Sequence, residues 1–378
     1  MNTKSALAAF FFFAALTTAA QENQFVVFGG GKHGYIDQDG KVIIPIKLEG
    51  TYVLDFSEGY AAFAEPAKPE PIRVPYLDKN GKLHLSRQEK WGFIDQNGAV
   101  AIDPQFDGVQ DFSEGLAAVA FNTEKTQYNC VDCDPNDRWG FIDKTGKMVV
   151  QPQYRSARPF SEGLAAVEDD ERKWGYIDAK GDLVIPCVFK LARKFSGGLA
   201  GAAVSEKAGY IDRQGKFVIK PQFTMVGDFF DGLAAVRTGG KTAFMMTGPA
   251  GGTWTFIGED GKKRFILPRG TERVEDLAEG LAAFELEDSH CGYVNESGVI
   301  VIAPKFSYCD AFSEGLADVL NNGKWQYIDR NANAILSVSY DQAHSFKHGL
   351  AAVAEGPDGG QKFGYINKNG KEVWMSSD

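Results

Sequence analysis

The sequence predicts an all-β array of about nine repeated units. Three observations carry this reading. Three short phrases recur in one fixed order, four-residue turns fall at matching points of each unit, and no stretch of the chain after residue 20 sustains helical periodicity. Composition agrees, because 43 Gly and 28 Phe among 378 residues suit many short strands joined by tight turns and pinned by aromatic side chains.

The first phrase is Trp-Gly-aromatic-Ile-Asp, as in Trp91–Asp95, Trp139–Asp143 and Trp174–Asp178. Its Gly falls at 34, 92, 140, 175, 209, 292 and 364, with Thr255 and Gln326 in its place in two weaker copies. Where nothing is inserted the spacing is roughly 34 to 38 residues, a period typical of repeat architectures. The phrase ends in a turn such as Asp95-Gln96-Asn97-Gly98, with the Asp and Gly that a type I turn prefers at its two ends. An apolar run broken by proline comes next, as in Val149-Val150-Gln151-Pro152-Gln153-Tyr154, so these two phrases form a β-hairpin. The proline lacks an N–H and should end its strand or sit at a bend.

The third phrase is Phe-Ser-Glu-Gly-Leu-Ala-Ala-Val, at Phe112–Val119 and Phe160–Val167, with Asp318 for the second Ala at Phe312–Val319. Gly115 turns the chain sharply into the strand Leu116–Val119, and the alanines let neighbouring units approach closely. The recurring Glu58, Glu114, Glu162, Glu279 and Glu314 read as turn residues forming an acidic ladder, since a catalytic carboxylate is not needed once per repeat.

Each unit is thus expected to be a three-stranded meander. A lone meander cannot bury its apolar face, so the units must stack, with Trp91, Trp139, Trp174, Trp325, Phe112, Phe160 and Phe312 filling the seams. The array opens at Phe25–Phe28 and closes at Gly364–Asn367 with Glu372–Trp374, similar points of the unit, so neither end completes the other's sheet. That favours an open solenoid or superhelix, with β-propeller-like closure as the alternative.

These phrases resemble the WG-repeat family of bacterial β-repeats over nearly the whole length from about Phe25 to Trp374. The resemblance implies an exported or scaffold-type module without a shared catalytic site. His33, Ala208, Cys291 and Phe363 replace the Trp, and the units around Thr255 and Gln326 are expected to be less regular.

The rest of the chain bounds the function. Lys4, the apolar stretch Ala6–Leu16 and the small residues Thr18-Ala19-Ala20 read as a signal peptide over residues 1–20, leaving an array over 21–378 that is exported to the periplasm or the extracellular space. The apolar run is too short to span a bilayer comfortably, so no membrane insertion is expected. A net charge of −10 opposes a nucleic-acid partner or an anionic membrane surface. Five cysteines cannot all pair within one chain, so a disulfide framework is not what holds the fold. Cys130 and Cys133 are read as a local disulfide, with a free or metal-binding pair as the alternative.

Other motifs yield to the repeat. Ala235–Thr242 fits a relaxed phosphate-loop pattern, but Ala235 is an ordinary strand residue and the stretch Ala243–Pro249 is a poor helix. Asp132–Asp137 has alternating oxygens like a calcium loop but lacks Gly at the sixth position. No cofactor or metal is therefore expected. His344 and His348 flank a turn and do not share a helical face.

The residues that break the period carry the functional expectation. Insertions at 64–90, 120–138 and 237–253 all fall between the Leu-Ala-Ala-Val strand and the Trp-Gly strand, so they emerge on one edge. The candidate contact residues are Tyr76, Asp78, Asn80 and Lys82 in the first, which carries its own turn at Asp78–Gly81 and should project as a hairpin. Asp132 and Asp134 lie in the second, and Lys241, Met245 and Met246 in the Gly- and Met-rich third. The reading is a non-enzymatic, monomeric scaffold that binds a protein or glycan of the envelope through these loops. The alternatives are a purely structural envelope component and, behind it, a hydrolase with its site in the loops.

Overall fold

The computed structural model describes residues 23–49, 52–66, 73–77, 83–87, 89–122, 137–240, 251–356 and 362–376, with backbone alone for 66–87. Among these residues the strands form nine successive blades and one separate hairpin. Blade 1 (25–48) has three strands. Blades 2 (52–106), 3 (108–154), 4 (156–189), 5 (191–223), 6 (225–266), 7 (271–306), 8 (308–338) and 9 (342–375) have four each, antiparallel and in chain order. We label the strands of a four-stranded blade a to d.

Four strands per blade correct the three-stranded expectation. The extra strand a is short, often two residues, as in Gly108–Val109, Ser156–Ala157 and Tyr308–Cys309. It pairs with the Leu-Ala-Ala-Val strand b, as in Gly108↔Ala120 and Val109↔Val119. Two residues show no alternation, which is why sequence periodicity misses them.

The Asp-x-x-Gly hairpins form as expected. Asp95 Oδ1 accepts the amides of Asn97 (2.9 Å) and Ala99 (3.0 Å), while Gly98 N–H donates to the Asp95 carbonyl (2.9 Å) and adopts a positive φ. This is a type I turn closed by a left-handed glycine. The Gly of the Trp-Gly phrase has another reason. A Cβ on Gly92 would sit 2.5 Å from the Ile102 carbonyl oxygen and 2.7 Å from Pro104 N, because the proline-containing strand d bulges against it. All six strands d that contain Pro (Pro45, Pro104, Pro152, Pro186, Pro221, Pro304) carry this register shift. Proline therefore bends the strand from within rather than ending it. The blades with Thr255 and Gln326 lack Pro inside strand d and lose the first of the two shifts, pairing Thr255↔Ile266 and Gln326↔Ser337, but keep the shift before Ile257 and Ile328. Those units thus depart from the ladder shared by the proline-containing blades.

The blades stack face to face around a closed ring. In each of seven seams an aromatic ring from strand c packs on the Phe that begins the next blade's turn phrase. Examples are Tyr35–Phe56 (4.7 Å), Phe93–Phe112 (4.9 Å), Phe141–Phe160 (5.0 Å) and Tyr293–Phe312 (4.9 Å). Where that residue is Tyr, its hydroxyl also donates to a carbonyl of the next blade, as Tyr176 does to Arg193 (2.7 Å) and Tyr327 to His344 (2.9 Å). Burial pushes these phenols well above their usual pKa, so they stay protonated donors. Phe112, Phe160 and Phe312 are fully buried in these seams. Of the four Trp residues expected there, Trp139 is buried and Trp91, Trp174 and Trp325 are half-buried.

Closure corrects the open solenoid. Phe25, Val27 and Ile36 of blade 1 share one buried cluster with Leu350 and Tyr365 of blade 9. Tyr365 packs tilted against Phe25 (5.2 Å), and Phe28 stacks on Phe363 (5.3 Å). The ends do not complete one another's sheet, as the sequence suggested, but closure does not require it. Two whole blades meet face to face, burying the apolar surface an open array would expose. The fold is a nine-bladed β-propeller.

Candidate functional site

Antiparallel strand order fixes the two faces of the ring. The a–b and c–d turns lie on one face, and the b–c and d–a connections on the other. Strand d exposes alternate residues and forms the outer rim, as in Val184 and Val188. Strand a therefore faces the axis. Lys347 of blade 9 reaches Asp55 of blade 2 (3.1 Å) across the three-stranded blade 1, a contact that only axial positions permit.

The turn face is uniform and latched. Glu114 and Gly115 both have positive φ, the two-residue turn that joins strands with the proper twist. A left-handed Glu is disfavoured by roughly 1–2 kcal/mol, yet Glu58, Glu114, Glu162, Glu279 and Glu314 all adopt it. Each carboxylate accepts an amide from the next blade's turn. Glu58 takes Glu114 N–H (2.7 Å) and Gly115 N–H (2.9 Å), and Glu314 takes Gly349 N–H (3.0 Å). A base from the next blade's c–d turn completes four of these latches: Lys144 on Glu58, Arg213 on Glu162, Arg330 on Glu279 and Lys368 on Glu314. Burial opposes ionisation of Glu58, but the Gly115 amide, Lys144 and the Glu114 amide prevail and hold its carboxyl below its usual value. Lys368 and the Gly349 amide do the same for Glu314 against its own burial. The acidic ladder of the sequence is thus an inter-blade clasp.

The opposite face carries every long insertion. The strands bounding the first, Tyr60–Pro66 and Glu89–Asp95, pair directly, and between them Arg73–Leu77 pairs with Leu83–Arg87 as a separate hairpin. Tyr76 stands opposite His84 on that hairpin. Asp78, Asn80 and Lys82 lie outside the described residues, as do Cys130, Asp132, Cys133 and Asp134 of the second insertion and Lys241, Met245 and Met246 of the third. The second lengthens its strands to Phe121↔Arg138 and Asn122↔Asp137, and the third leaves from Thr238↔Thr253. Ala235 is a residue of strand Leu233–Thr238, as the repeat reading required. Residues 1–20, read as a signal peptide, also lie outside the described residues. No helix among the described residues is long and apolar enough to cross a membrane.

Two features went unseen in the sequence. Cys291 and Cys309 form a disulfide, Cα–Cα 6.0 Å, joining strand c of blade 7 to strand a of blade 8. Cys291 occupies the Trp position, which was the available signal. Cys187 is free, and burial pushes its thiol up to about 11. The second feature is a cavity of about 390 Å³ on the axial wall of blades 3 to 6. Arg158, Arg193, Lys194 and Asp228 line it beside Pro159, Phe160 and Leu191. Arg193 Nε donates to Asp228 Oδ1 (2.6 Å), and the Arg158 guanidinium lies 5.0 Å over the Trp174 ring. Two carboxyls elsewhere in the ring are shifted upward. Burial and the neighbouring Asp55 raise the pKa of Asp111, and burial raises that of Asp318 to about 6 against its bond from Ser345 (2.6 Å).

The model of the family described as "WG containing repeat" matches residues 34–65, 91–122, 139–172, 174–207, 209–241, 292–325 and 327–356. No curated protein matches the chain. Among solved structures, a eukaryotic initiation factor superposes with a TM-score of 0.57 at 10% identity, covering 85% of this chain and 86% of that one. The computationally designed Ika8 protein gives 0.44 at 10% identity, over 85% and 98% of the two chains. BamB from Moraxella catarrhalis gives 0.43 at 10% identity, over 80% and 93%. At such identity a structural likeness speaks to fold alone, whereas seven matched segments in register with the blades speak to descent: the chain belongs to the WG-repeat family.

Proposed function

We propose that the protein is an exported, non-catalytic propeller scaffold that holds a protein or glycan partner of the envelope on the face carrying the inserted b–c connections. One observation carries the reading. The turn face keeps two-residue and four-residue turns around the ring, while residues 64–90, 120–138 and 237–253 all enlarge the opposite face. Insertions confined to one face of a rigid scaffold are where recognition is usually placed. Export rests on the signal-peptide pattern of residues 1–20 and accords with a disulfide between Cys291 and Cys309, since such bonds persist in oxidising compartments.

The experiment replaces residues 64–90 with a four-residue turn and compares both chains as baits in envelope extract. Blade 2 should survive, because Tyr60, Ala61, Ala62 and Phe63 still pair with Asp95, Ile94, Phe93 and Gly92 outside the replaced segment. A partner retained by the intact chain and lost by the folded deletion supports the reading. Identical capture by both chains counts against the inserted face and favours a structural component of the envelope.

A further inference from the structure

We infer that the axial cavity of blades 3 to 6 is a binding site for a small hydroxylated carboxylate of the uronic-acid type. It lies on the channel wall and is separate from the inserted loops. Its lining presents three cationic side chains, Arg158, Arg193 and Lys194, against the single carboxylate Asp228. Asp276 stands beside this group, with Asp228, Arg193 and Lys194 among its charged neighbours, and the cationic side chains still outnumber the carboxylates in a chain of net charge −10.

The polar groups narrow the ligand. Asp228 is buried and bonded to Arg193, so that pair is internally matched and positions the Arg193 side chain. Lys194 stands farther from Asp228, at 4.0 Å, with its side chain half exposed. Arg158 is exposed and rests over Trp174, which steadies the planar group that best matches a carboxylate. Ser113 and Ser161 use their hydroxyl protons on the Phe160 and Phe195 carbonyls, both at 2.7 Å. Toward the cavity those oxygens can only accept, so the ligand must bring donors. Pro159, Phe160 and Leu191 supply an apolar surface. A carboxylate, several hydroxyls and a ring with an apolar face together describe a sugar acid, and about 390 Å³ admits a monosaccharide.

The test titrates the full chain with glucuronate, glucose, acetate and inorganic phosphate, read by calorimetry and by ligand-observed NMR. Saturable binding of glucuronate is expected, with glucose, acetate and phosphate each at least tenfold weaker. Arg158→Ala and Lys194→Met should each weaken glucuronate at least tenfold. Lys194 is exposed enough that K194M keeps the fold if R158A does not, and both are compared by thermal melting. No saturable binding of glucuronate overturns the proposal, as does binding unchanged in K194M. Phosphate or acetate binding as tightly as glucuronate overturns it too, by reducing the cavity to a general anion site.

Discussion

The Tyr365 hydroxyl donates to the carbonyl of Val26 at 3.0 Å, joining residues 339 apart in sequence. It is the same strand-c phenol that elsewhere bonds to the following blade, here turned onto the first strand of the chain. The ring therefore closes with the device that builds its other seams.

The closing seam lacks the glutamate clasp, since His348 occupies the clasp position of blade 9 and blade 1 begins at the strand b position. Aromatic packing must hold it. Phe25→Ala should destabilise the protein by about 3–5 kcal/mol, and Tyr365→Phe by about 1 kcal/mol for the lost hydrogen bond. Urea unfolding of both variants checks this; a neutral Phe25→Ala would show that the seam carries no load.

The clasp predicts an acid-sensitive contribution. The carboxyls of Glu58 and Glu314 titrate below their ordinary value of 4.5 in the folded chain. Their stabilisation is full above that value and is lost as pH falls through the lowered folded value. Glu58→Gln should melt earlier than the parent at pH 7, and the gap should close as the pH is lowered below 4. A gap independent of pH would mean the carboxylate charge is irrelevant.

Asp318 predicts the opposite trend. It is buried where most other repeats have Ala, such as Ala118 and Ala166, and its carboxyl is raised from 3.8 to about 6. The folded state holds this proton more tightly than the unfolded chain, so stability falls as pH rises from about 4 through about 6. Asp318→Ala should therefore be more stable than the parent at pH 7, on the order of 2 kcal/mol, with the advantage shrinking toward pH 4. Equal stability at pH 7 would contradict the assignment.

The disulfide predicts a redox-dependent melting point. Cys291 and Cys309 enclose a loop of sequence separation 18, for which chain entropy gives about 3 kcal/mol. Cys291→Ala with Cys309→Ala should lower the melting temperature and make it less sensitive to reductant than the parent's. Reductant that lowers the melting point of the double variant as much as the parent's would place the effect elsewhere.

Gly92 predicts a steric cost. A methyl group there meets the Ile102 carbonyl oxygen at 2.5 Å, so Gly92→Ala should destabilise by about 1–3 kcal/mol. A neutral result in denaturant titration would show that the Pro104 bulge can move aside.

The unit was legible in the sequence because its signals are local. Asp95 and Gly98 declare their hairpin, and Phe112-Ser113-Glu114-Gly115 declares its turn. Ring closure was not legible, since it depends on the angle between stacked blades summed around the molecule, which no residue writes down. The cross-blade use of Glu58 was hidden for a related reason: its partners Glu114 and Lys144 lie one repeat ahead. The axial cavity draws Ser113, Arg158, Arg193 and Asp228 from four blades, at positions that look like ordinary variation within the repeat.

Small-angle X-ray scattering of the monomeric chain tests ring closure most directly. A closed propeller predicts a radius of gyration near the ~21 Å of a compact chain of 378 residues, with a single-peaked, globular distance distribution. A radius well above this, with a long tail in the distribution, would show an open superhelix in which Tyr365 and Val26 never meet.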